Sequence, residues 1–283
     1  MWNKIKGLFK NKKSRRRLIV IIFVIFIMVA CDMRLKTIYY NIDSDKIETS
    51  ITIAFVSDLH ADWYGKKQKN LINAIDGANP DVVLLGGDIF DDEKSYKNAE
   101  VFLSEVSARY DCYYVTGNHE YWSRDIDNIL GIVESYGITI LSEKCEVVEI
   151  NGQTVNICGV DDVDADIYVS GSKSTETQIK ELGENVDFDN YTILLSHRPE
   201  IYDTYKKYQF DLVLCGHAHG GQCRIPGILN GLYAPHQGLF PDYAGGRYDY
   251  ENGTMIVSRG LARESTPVPR VFNRPELVII EIE

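Results

Sequence analysis

Short apolar runs, each followed closely by a polar cluster, recur along the 283-residue chain and constrain its fold more than any other feature. Helix-like stretches separate several of these runs, with apolar residues at helical spacing, such as Leu71, Ile72 and Ile75. Buried strands that alternate with helices are typical of an α/β architecture, so we predict that class. The runs are Ile51–Val56, Val82–Leu85, Cys112–Thr116, Val155–Val160, Ile193–Leu195 and Leu212–Cys215.

Five of the six histidines belong to the polar clusters that follow these runs. In open α/β sheets, ligands bind at the carboxyl ends of the strands, so we expect clusters on neighbouring strands to converge on one crevice. Residues two apart in an extended chain point to the same side, which lets one cluster present two side chains together. The clusters are Asp58-Leu59-His60, Gly87-Asp88, Gly117-Asn118-His119-Glu120, Ser196-His197 and Gly216-His217-Ala218-His219.

The donor groups of these clusters indicate a metal site. Carboxylates, an amide and imidazoles suit divalent ions such as Mn, Fe and Zn. Seven candidate ligands are too many for one tetrahedral site, but they suit two ions that share one carboxylate, for which we propose Asp88. Two ions about 3.5–4 Å apart are a known arrangement for hydrolysing phosphate esters. The candidate ligands are Asp58, His60, Asp88, Asn118, His197, His217 and His219.

A structural zinc site is an alternative interpretation of part of this pattern. His217 and His219 could join Cys215 and Cys223, because two cysteines and two histidines form a common closed zinc site. That interpretation leaves the other four clusters unexplained.

The ordered set of clusters resembles the calcineurin-like metallophosphoesterases, over residues 51–283. Further segments point to the bacterial branch of membrane-associated, often exported, phosphodiesterase-like enzymes. The resemblance implies a four-layer αββα sandwich, in which helices flank two central mixed β-sheets. The further segments are Gly216–Gln222, Leu232–Pro235, Gln237–Pro241, Ser258–Leu261 and Phe272–Glu276.

The resemblance also implies a role for each matching residue. Asp58, His60 and His219 would hold one ion, with Asp88 bridging. Asn118, His197 and His217 would complete the second ion's ligands. His119 would be a catalytic residue and not a ligand: it would protonate the leaving oxygen or stabilise the transition state, and Glu120 would orient it. We therefore expect a metal-dependent phosphoesterase or phosphodiesterase in which the ions activate the attacking water.

The N-terminal segment predicts membrane targeting. Residues 1–17 carry eight basic and no acidic side chains, and Leu18–Cys31 is uncharged. As a helix, those fourteen residues would be roughly 21 Å long, shorter than a hydrocarbon core of about 30 Å. The pattern is typical of a signal-peptide apolar region or an uncleaved signal anchor, while Met28–Cys31 resembles a lipobox and Arg15–Arg17 a twin-arginine motif.

These features divide the chain into four parts. Residues 1–17 form a cytoplasmic basic tail, 18–31 the single membrane anchor or signal segment, 32–50 a linker, and 51–283 the metallophosphoesterase domain. The positive-inside bias places the catalytic domain outside the cytoplasm, at the cell membrane. Within it, residues 161–190 are expected to form a polar loop with one short helix, and the five cysteines are expected to be buried thiols.

Charge narrows the substrate class. Without the eight basic residues of the tail, 22 Lys+Arg face 41 Asp+Glu, a net charge of −19. A chain that binds long nucleic acid needs a basic footprint, so this balance argues against such a partner. A small-molecule or lipid phosphoester, such as a phosphodiester or a lipid-linked pyrophosphate, fits the membrane segment. Arg198, Arg259 and Arg263 are candidate phosphate contacts.

Two other functions fit parts of the pattern. One is a catalytically silent, metal-stabilised protein that binds an envelope partner, although the intact ligand set argues against it. The other is a phosphoprotein phosphatase, which would prefer phosphomonoesters to phosphodiesters.

Overall fold

The structure, a computed structural model, describes residues 12–263 and 268–283. The first eleven residues of the predicted cytoplasmic tail lie outside the described residues. Helices alternate with strands along the chain, which confirms the predicted α/β class. The helices are α1 (Lys12–Ala30), α2 (Lys69–Ala78), α3 (Lys97–Ser107), α4 (Asn118–Trp122), α5 (Ile126–Ser135), α6 (Ala165–Tyr168), α7 (Thr175–Asn185) and α8 (Tyr202–Tyr205).

Two six-stranded mixed sheets form the centre of the molecule. The first sheet has the order β1 (Lys36–Ile42), β14 (Glu276–Ile282), β2 (Ile51–Val56), β3 (Val82–Gly86), β4 (Cys112–Val115), β5 (Thr139–Ile140). The second has the order β12 (Gly246–Tyr250), β13 (Gly253–Val257), β9 (Leu212–Cys215), β8 (Tyr191–Leu195), β7 (Gln153–Gly159), β6 (Lys144–Ile150). A separate hairpin pairs β10 (Tyr233–Ala234) with β11 (Gly238–Leu239).

Parallel pairing places the carboxyl ends of the central strands together. In the first sheet β2, β3 and β4 are parallel neighbours, while β14 is antiparallel to β2. In the second sheet β7, β8, β9 and β13 are parallel neighbours. The polar clusters that follow these strands therefore leave each sheet at one edge.

The apolar faces of the two sheets pack against each other. Phe55 and Leu84 of the first sheet share one buried cluster with Ile193 and Leu214 of the second. Both faces of the central strands are covered, which explains why their sequences are continuous apolar runs and not alternating ones.

Helices cover the outer face of each sheet. Leu71 of α2 and Phe102 of α3 pack with Val83 on the outside of the first sheet. On the outside of the second sheet, Ile179 of α7 and Tyr205 of α8 pack with Val213. The layers therefore run helices, sheet, sheet, helices. Residues 161–190, predicted as a loop with one short helix, contain both α6 and α7.

The segment after α1 differs from its prediction. Residues 33–50 were expected to be an irregular linker, but Lys36–Ile42 is the edge strand β1, paired with β14 in parallel. Only Ile42 of this strand is fully buried, and its other residues are half-buried or exposed, as suits a strand at the edge of a sheet. The helix α1 has an exposed apolar surface from Ile19 to Val29. No helix among the described residues is both long enough and apolar enough to cross a membrane.

One pair of cysteines departs from the prediction of buried thiols. Cys145 on β6 and Cys158 on β7 are joined in a disulfide. They lie directly opposite each other in the antiparallel register, which is why two residues thirteen positions apart meet. Cys112 and Cys215 are buried thiols, as expected.

Candidate metal centre

The predicted ligands come from loops at the carboxyl ends of five strands. Asp58 and His60 follow β2, Asp88 follows β3, and Asn118 begins α4 directly after β4. On the second sheet, the loop after β8 carries His197 and the loop after β9 carries His217 and His219. All seven side chains are buried, with at most 3% of any of them exposed.

Two of the groups of donor atoms in this crevice share Asp88. Asp58, His60, Asp88 and His219 each offer an atom within 4.8 Å of the others. The second group is Asp88, His197 and His217, by the same criterion. The carboxylate oxygen Oδ2 of Asp88 lies 3.5 Å from Nε2 of His60 and 3.1 Å from Nε2 of His197, so one carboxylate faces both groups.

Unpartnered atoms show that this crevice fits divalent ions. Nε2 of His60, Oδ2 of Asp88, Oδ1 of Asn118 and Nε2 of His197 are buried and have no hydrogen-bond partner. A buried polar atom without a partner costs on the order of 1–3 kcal/mol. Four such atoms in one crevice, all oxygen or nitrogen donors, match what Mn, Fe or Zn would bind.

Hydrogen bonds from the outside fix the orientation of two imidazoles. Nδ1 of His60 lies 3.0 Å from Oδ2 of Asp91, and Nδ1 of His197 lies 2.8 Å from the carbonyl oxygen of Gly86. Both partners are acceptors, so each Nδ1 carries a proton and each Nε2 faces the crevice. Partners of this kind set the tautomer of metal-binding histidines.

The two aspartates are in different electrostatic surroundings. Burial raises the pKa of Asp58, despite the opposing effect of His197. Burial would also raise the pKa of Asp88, but positive charge on His197, His119 and His60 brings it well below its usual range. Conversely, burial would lower the pKa of His197, yet Asp88 and Asp58 raise it to about 10. The opposite shifts in the pKa of Asp88 and of His197 follow from the attraction between the two side chains, whose Oδ2 and Nε2 atoms lie 3.1 Å apart.

Glu120 organises the loop after β3. Its buried carboxylate accepts hydrogen bonds from the backbone N–H groups of Asp88, Ile89, Phe90 and Gly117, at 2.8–3.1 Å. The expectation that Glu120 orients His119 is therefore wrong, because its oxygens are committed to the turn that carries Asp88.

Asp92 is the residue that orients His119. Nδ1 of His119 lies 2.6 Å from Oδ1 of Asp92, and the His119 ring meets the His60 ring edge-on, with centroids 4.3 Å apart. His119 keeps partial exposure, unlike the ligand candidates, so it stands at the mouth of the crevice. Asp92 is the second of two adjacent aspartates that follow Phe90. The sequence pattern alone did not distinguish it as the partner of His119.

Gly117 allows α4 to approach the Asp88 loop. A Cβ atom at Gly117 would lie 2.3 Å from Oδ1 of Asp88, inside any acceptable contact distance. The close approach lets the backbone N–H of His119 donate to the same oxygen, at 2.9 Å. It also leaves Oδ2 of Asp88 to face the two groups.

The three candidate arginines have protein partners. Arg198 has no exposed surface and forms a bidentate pair with Asp162, at 2.5 and 2.8 Å. Nη2 of Arg259 donates to Asn230 and to the Gly245 carbonyl, and Arg263 packs over the ring of Tyr64. The role of Arg198 is therefore structural.

His236 joins the crevice although no apolar run precedes it. Its Nδ1 lies 3.0 Å from Nε2 of His217 and 2.7 Å from Nη1 of Arg198, and the His217 and His236 rings stack. Tertiary folding alone brings these residues together, since Arg198 and His236 are 38 positions apart.

Cysteine does not take part in this crevice. Among the described residues, the possible ligand groups that contain His217 or His219 include no cysteine. Cys215 is buried in the outer core of the second sheet, and Sγ of Cys223 bonds the Pro269 carbonyl. The structure gives no support to the alternative of a structural zinc site.

Comparisons with known proteins agree with this geometry. The family model described as calcineurin-like phosphoesterase matches residues 51–221, more than half of the chain. The chain belongs to this family. Its members use two divalent metal ions, and the chain is a metal-dependent phosphoesterase, a hydrolase.

Relatives of the chain come from bacteria and animals. It is 31% identical over 251 residues to an uncharacterized metallophosphoesterase of Aquifex aeolicus (strain VF5), covering 86% of this chain and 90% of that one. It is 32% identical to another from Helicobacter pylori (strain J99 / ATCC 700824), over 79% of this chain but only 58% of that one. A transmembrane protein with metallophosphoesterase domain from Bos taurus is 28% identical, over 81% of this chain and 52% of that one.

Solved structures share the fold. The NAD nucleotidase of Haemophilus influenzae superposes with a TM-score of 0.50 at 14% identity, over 76% of this chain and 46% of that one. The protein TT1561 of Thermus thermophilus gives a TM-score of 0.50 at 15% identity, over 76% of this chain and 92% of that one. At these identities the likeness concerns the fold alone.

Proposed function

We propose that the chain is a membrane-tethered hydrolase that uses two divalent ions to cleave phosphodiester or lipid-linked pyrophosphate bonds outside the cytoplasm. One observation carries the two-ion assignment. Oδ2 of Asp88 faces both His60 and His197, and none of the three facing atoms has a hydrogen-bond partner.

The ligand sets follow from the two groups. Asp58, His60, Asp88 and His219 would hold one ion. Asp88, Asn118, His197 and His217 would hold the other. Nε2 of His217 is within hydrogen-bond distance of His236 and Arg198, so Nδ1 is the nitrogen that remains for an ion. Bound together, the ions would draw in the phosphate oxygens and lower the pKa of water toward neutral.

The chain's own residues would do the remaining chemistry. His119 stands beside the first group, and its Nδ1 is held by Asp92 at 2.6 Å. Its Nε2 would then donate a proton to the leaving oxygen, and the Asp92 carboxylate would stabilise the charged imidazole that supplies it. The backbone N–H of His119 donates to Oδ1 of Asp88 at 2.9 Å. This hydrogen bond keeps the proposed general acid, His119, at a fixed distance from the proposed shared ligand, Asp88.

Two features support the extracytoplasmic, membrane-attached location. The helix α1 carries five basic residues at its start and an apolar surface from Ile19 to Val29 that stays exposed in the described chain. The disulfide between Cys145 and Cys158 is the second, because disulfides persist mainly in oxidising compartments. The acidic net charge of the rest of the chain favours a substrate smaller than a nucleic acid.

The test uses the full chain purified in detergent and loaded with Mn or Zn. We expect hydrolysis of bis(p-nitrophenyl)phosphate, and of a lipid-linked pyrophosphate or phospholipid in mixed micelles, faster than hydrolysis of a phosphomonoester. Asp88→Asn should lose at least one ion per chain and about 10²-fold or more in turnover, since even partners outside the ligand shell cost 10–100-fold.

Asp189→Asn is the matched control, because Asp189 is exposed and precedes β8, at the opposite end of that strand from the loop that carries His197. Full ion content and turnover in Asp88→Asn would refute the two-ion assignment. Turnover of phosphomonoesters or phosphopeptides alone would favour a phosphatase, and no turnover with any ion would favour a silent binding protein.

A further inference from the structure

The segment that follows His219 carries large apolar side chains on its surface. Ile225 and Ile228 are 50% and 85% exposed, and they lie in a tight hairpin in which Ile225 bridges to Leu229. Pro226 and Gly227 form its tip, next to Ile228. Because 85% of Ile228 is exposed, this side chain contributes little to the packing of the protein, and its apolar surface is available to a partner.

This hairpin is built directly onto the catalytic loop. Asn273 donates through Nδ2 to the carbonyl of His219 at 2.7 Å and to that of Gln222 at 3.0 Å. The backbone N–H of Val271 donates to Gln222 as well, and Cys223 bridges to Val271. The hairpin and the ligand loop are thus held by one short stretch, residues 271–273.

The same stretch receives the end of α1. The ring of Phe272 meets the ring of Phe26 edge-on at 5.5 Å, and its backbone N–H donates to the carbonyl of Ala30 at 2.7 Å. Just beyond, Arg274 donates to the carbonyl oxygens of Arg34 and Leu35, at 2.9 Å each. The point where the chain leaves its apolar helix is therefore fixed against residue 272.

We infer that the Ile225–Leu229 hairpin is a second membrane contact, and that it turns the catalytic crevice toward lipid-borne phosphoesters at the bilayer surface. The partner is the bilayer because the hairpin adjoins the apolar helix through Phe272. The chain would be attached at the end of α1, next to Phe272, whether α1 stays uncleaved or Cys31 carries a lipid. This inference rests on the proposed membrane attachment and names the substrate class of that site.

The test reports insertion directly. Ile228→Trp in the full chain, reconstituted into phosphatidylglycerol–phosphatidylethanolamine vesicles with brominated acyl chains, should lose the added fluorescence through contact quenching. The control is Val147→Trp, an equally apolar position, 67% exposed on the edge strand β6 of the second sheet, which should not be quenched. Equal quenching of the two variants would overturn the inference.

A second copy of the chain would give a different result. Packing against protein would shield Ile228→Trp from aqueous iodide without quenching by brominated lipid, and that outcome also overturns the inference. Activity supplies the second readout. Ile228→Asp should lower hydrolysis of a vesicle-borne phosphoester by about tenfold or more, because the variant loses the favourable free energy of burying an isoleucine side chain in the bilayer.

Hydrolysis of soluble bis(p-nitrophenyl)phosphate should be unchanged in Ile228→Asp, because Ile228 contacts no ligand candidate. If the wild-type chain hydrolyses neither substrate, the proposed function fails while the quenching result still decides the membrane contact. Equal loss on both substrates would show a structural effect and would overturn the inference about lipid presentation.

Discussion

Oδ2 of Asp88 and Nε2 of His197 lie 3.1 Å apart in the crevice, and neither atom has a hydrogen-bond partner. In the metal-free protein this proximity, with Asp58 nearby, raises the pKa of His197 to about 10 although burial opposes it. An ion bound by both side chains would therefore have to displace the proton on Nε2 of His197.

Ion binding near neutral pH should therefore release protons. A histidine binds a metal only when neutral, so ions compete with the proton on His197, and affinity should rise with pH until about 10. Calorimetric titration of the metal-free chain with Zn, in two buffers of different ionisation enthalpy, measures the release. We expect at least one proton per chain in the wild type and fewer in His197→Gln. A binding enthalpy that is the same in both buffers would contradict the raised pKa of His197.

The same shift sets a stability trend for the metal-free chain. Because the pKa of His197 is raised on folding, its charged form stabilises the fold fully below about pH 6.5. That contribution should be lost as the pH rises through about 10. Urea unfolding of the metal-free wild type between these limits should show the decline, and His197→Gln should flatten it.

His119→Asn should slow hydrolysis by about 10²–10⁴-fold, the usual contribution of a general acid. The loss should be largest for substrates with poor leaving groups, which need the proton most, and smallest for p-nitrophenyl esters. Asp92→Asn should give a weaker loss of the same kind, because it removes the partner of Nδ1. Ion content should stay at the wild-type level in both. A loss of turnover that is the same for good and poor leaving groups would exclude the role of His119 in proton transfer.

Gly117→Ala should lower both ion content and activity. The added methyl group would come within 2.3 Å of Oδ1 of Asp88, so the Asp88 loop must shift. Gly131→Ala is the matched control, because a Cβ at that exposed position in α5 meets nothing within 4 Å. It should stabilise the helix by about 0.5–1 kcal/mol and leave turnover unchanged. Equal activity of the two variants would contradict the close approach.

Arg198→Met should destabilise the fold by about 3–5 kcal/mol, since it leaves the carboxylate of Asp162 buried without its partner. Arg247→Met removes an exposed arginine paired with Asp249 and should cost about 0–1 kcal/mol. Urea unfolding of both variants measures the difference. A similar loss in the free energy of unfolding for both variants would mean that water reaches the ion pair between Arg198 and Asp162.

Reducing the disulfide should lower the free energy of unfolding by about 2–4 kcal/mol. Unfolding of the wild type with and without dithiothreitol gives the value, and a Cys145→Ser/Cys158→Ser variant should not respond to the reductant. Thiol labelling of the chain in intact cells tests its location as well. If Cys145 and Cys158 label as free thiols there, the extracytoplasmic assignment is wrong.

The central strands and the positions of the candidate ligands were predictable for one physical reason. Strands covered on both faces, such as β2 and β9, must be apolar throughout, and a polar side chain directly after them stands out. Edge strands give no such signal. β1 and β6 mix polar and apolar residues without a continuous apolar run and were not predicted, because only pairing with a partner distinguishes them from irregular chain.

The contacts around the ligands were harder to predict. Asp92, rather than Glu120, orients His119, yet both are acidic residues close to a motif. The choice depends on how the loop after β3 turns, which local sequence does not fix. Likewise, Arg198 meets Asp162 and His236 only because the loop after β7 and the turn between β10 and β11 both reach it.

The pairing of β14 imposes an order on the folding of the first sheet. β14 lies between β1 and β2 and pairs with both, so the first sheet stays in two pieces until residues 276–282 have been made. Closing a contact across roughly 200 residues or more carries a large entropic cost and is slow. Because Asp58 and His60 leave β2 beside that gap, the chain should hold its ions firmly only once residues 276–282 have paired with β2.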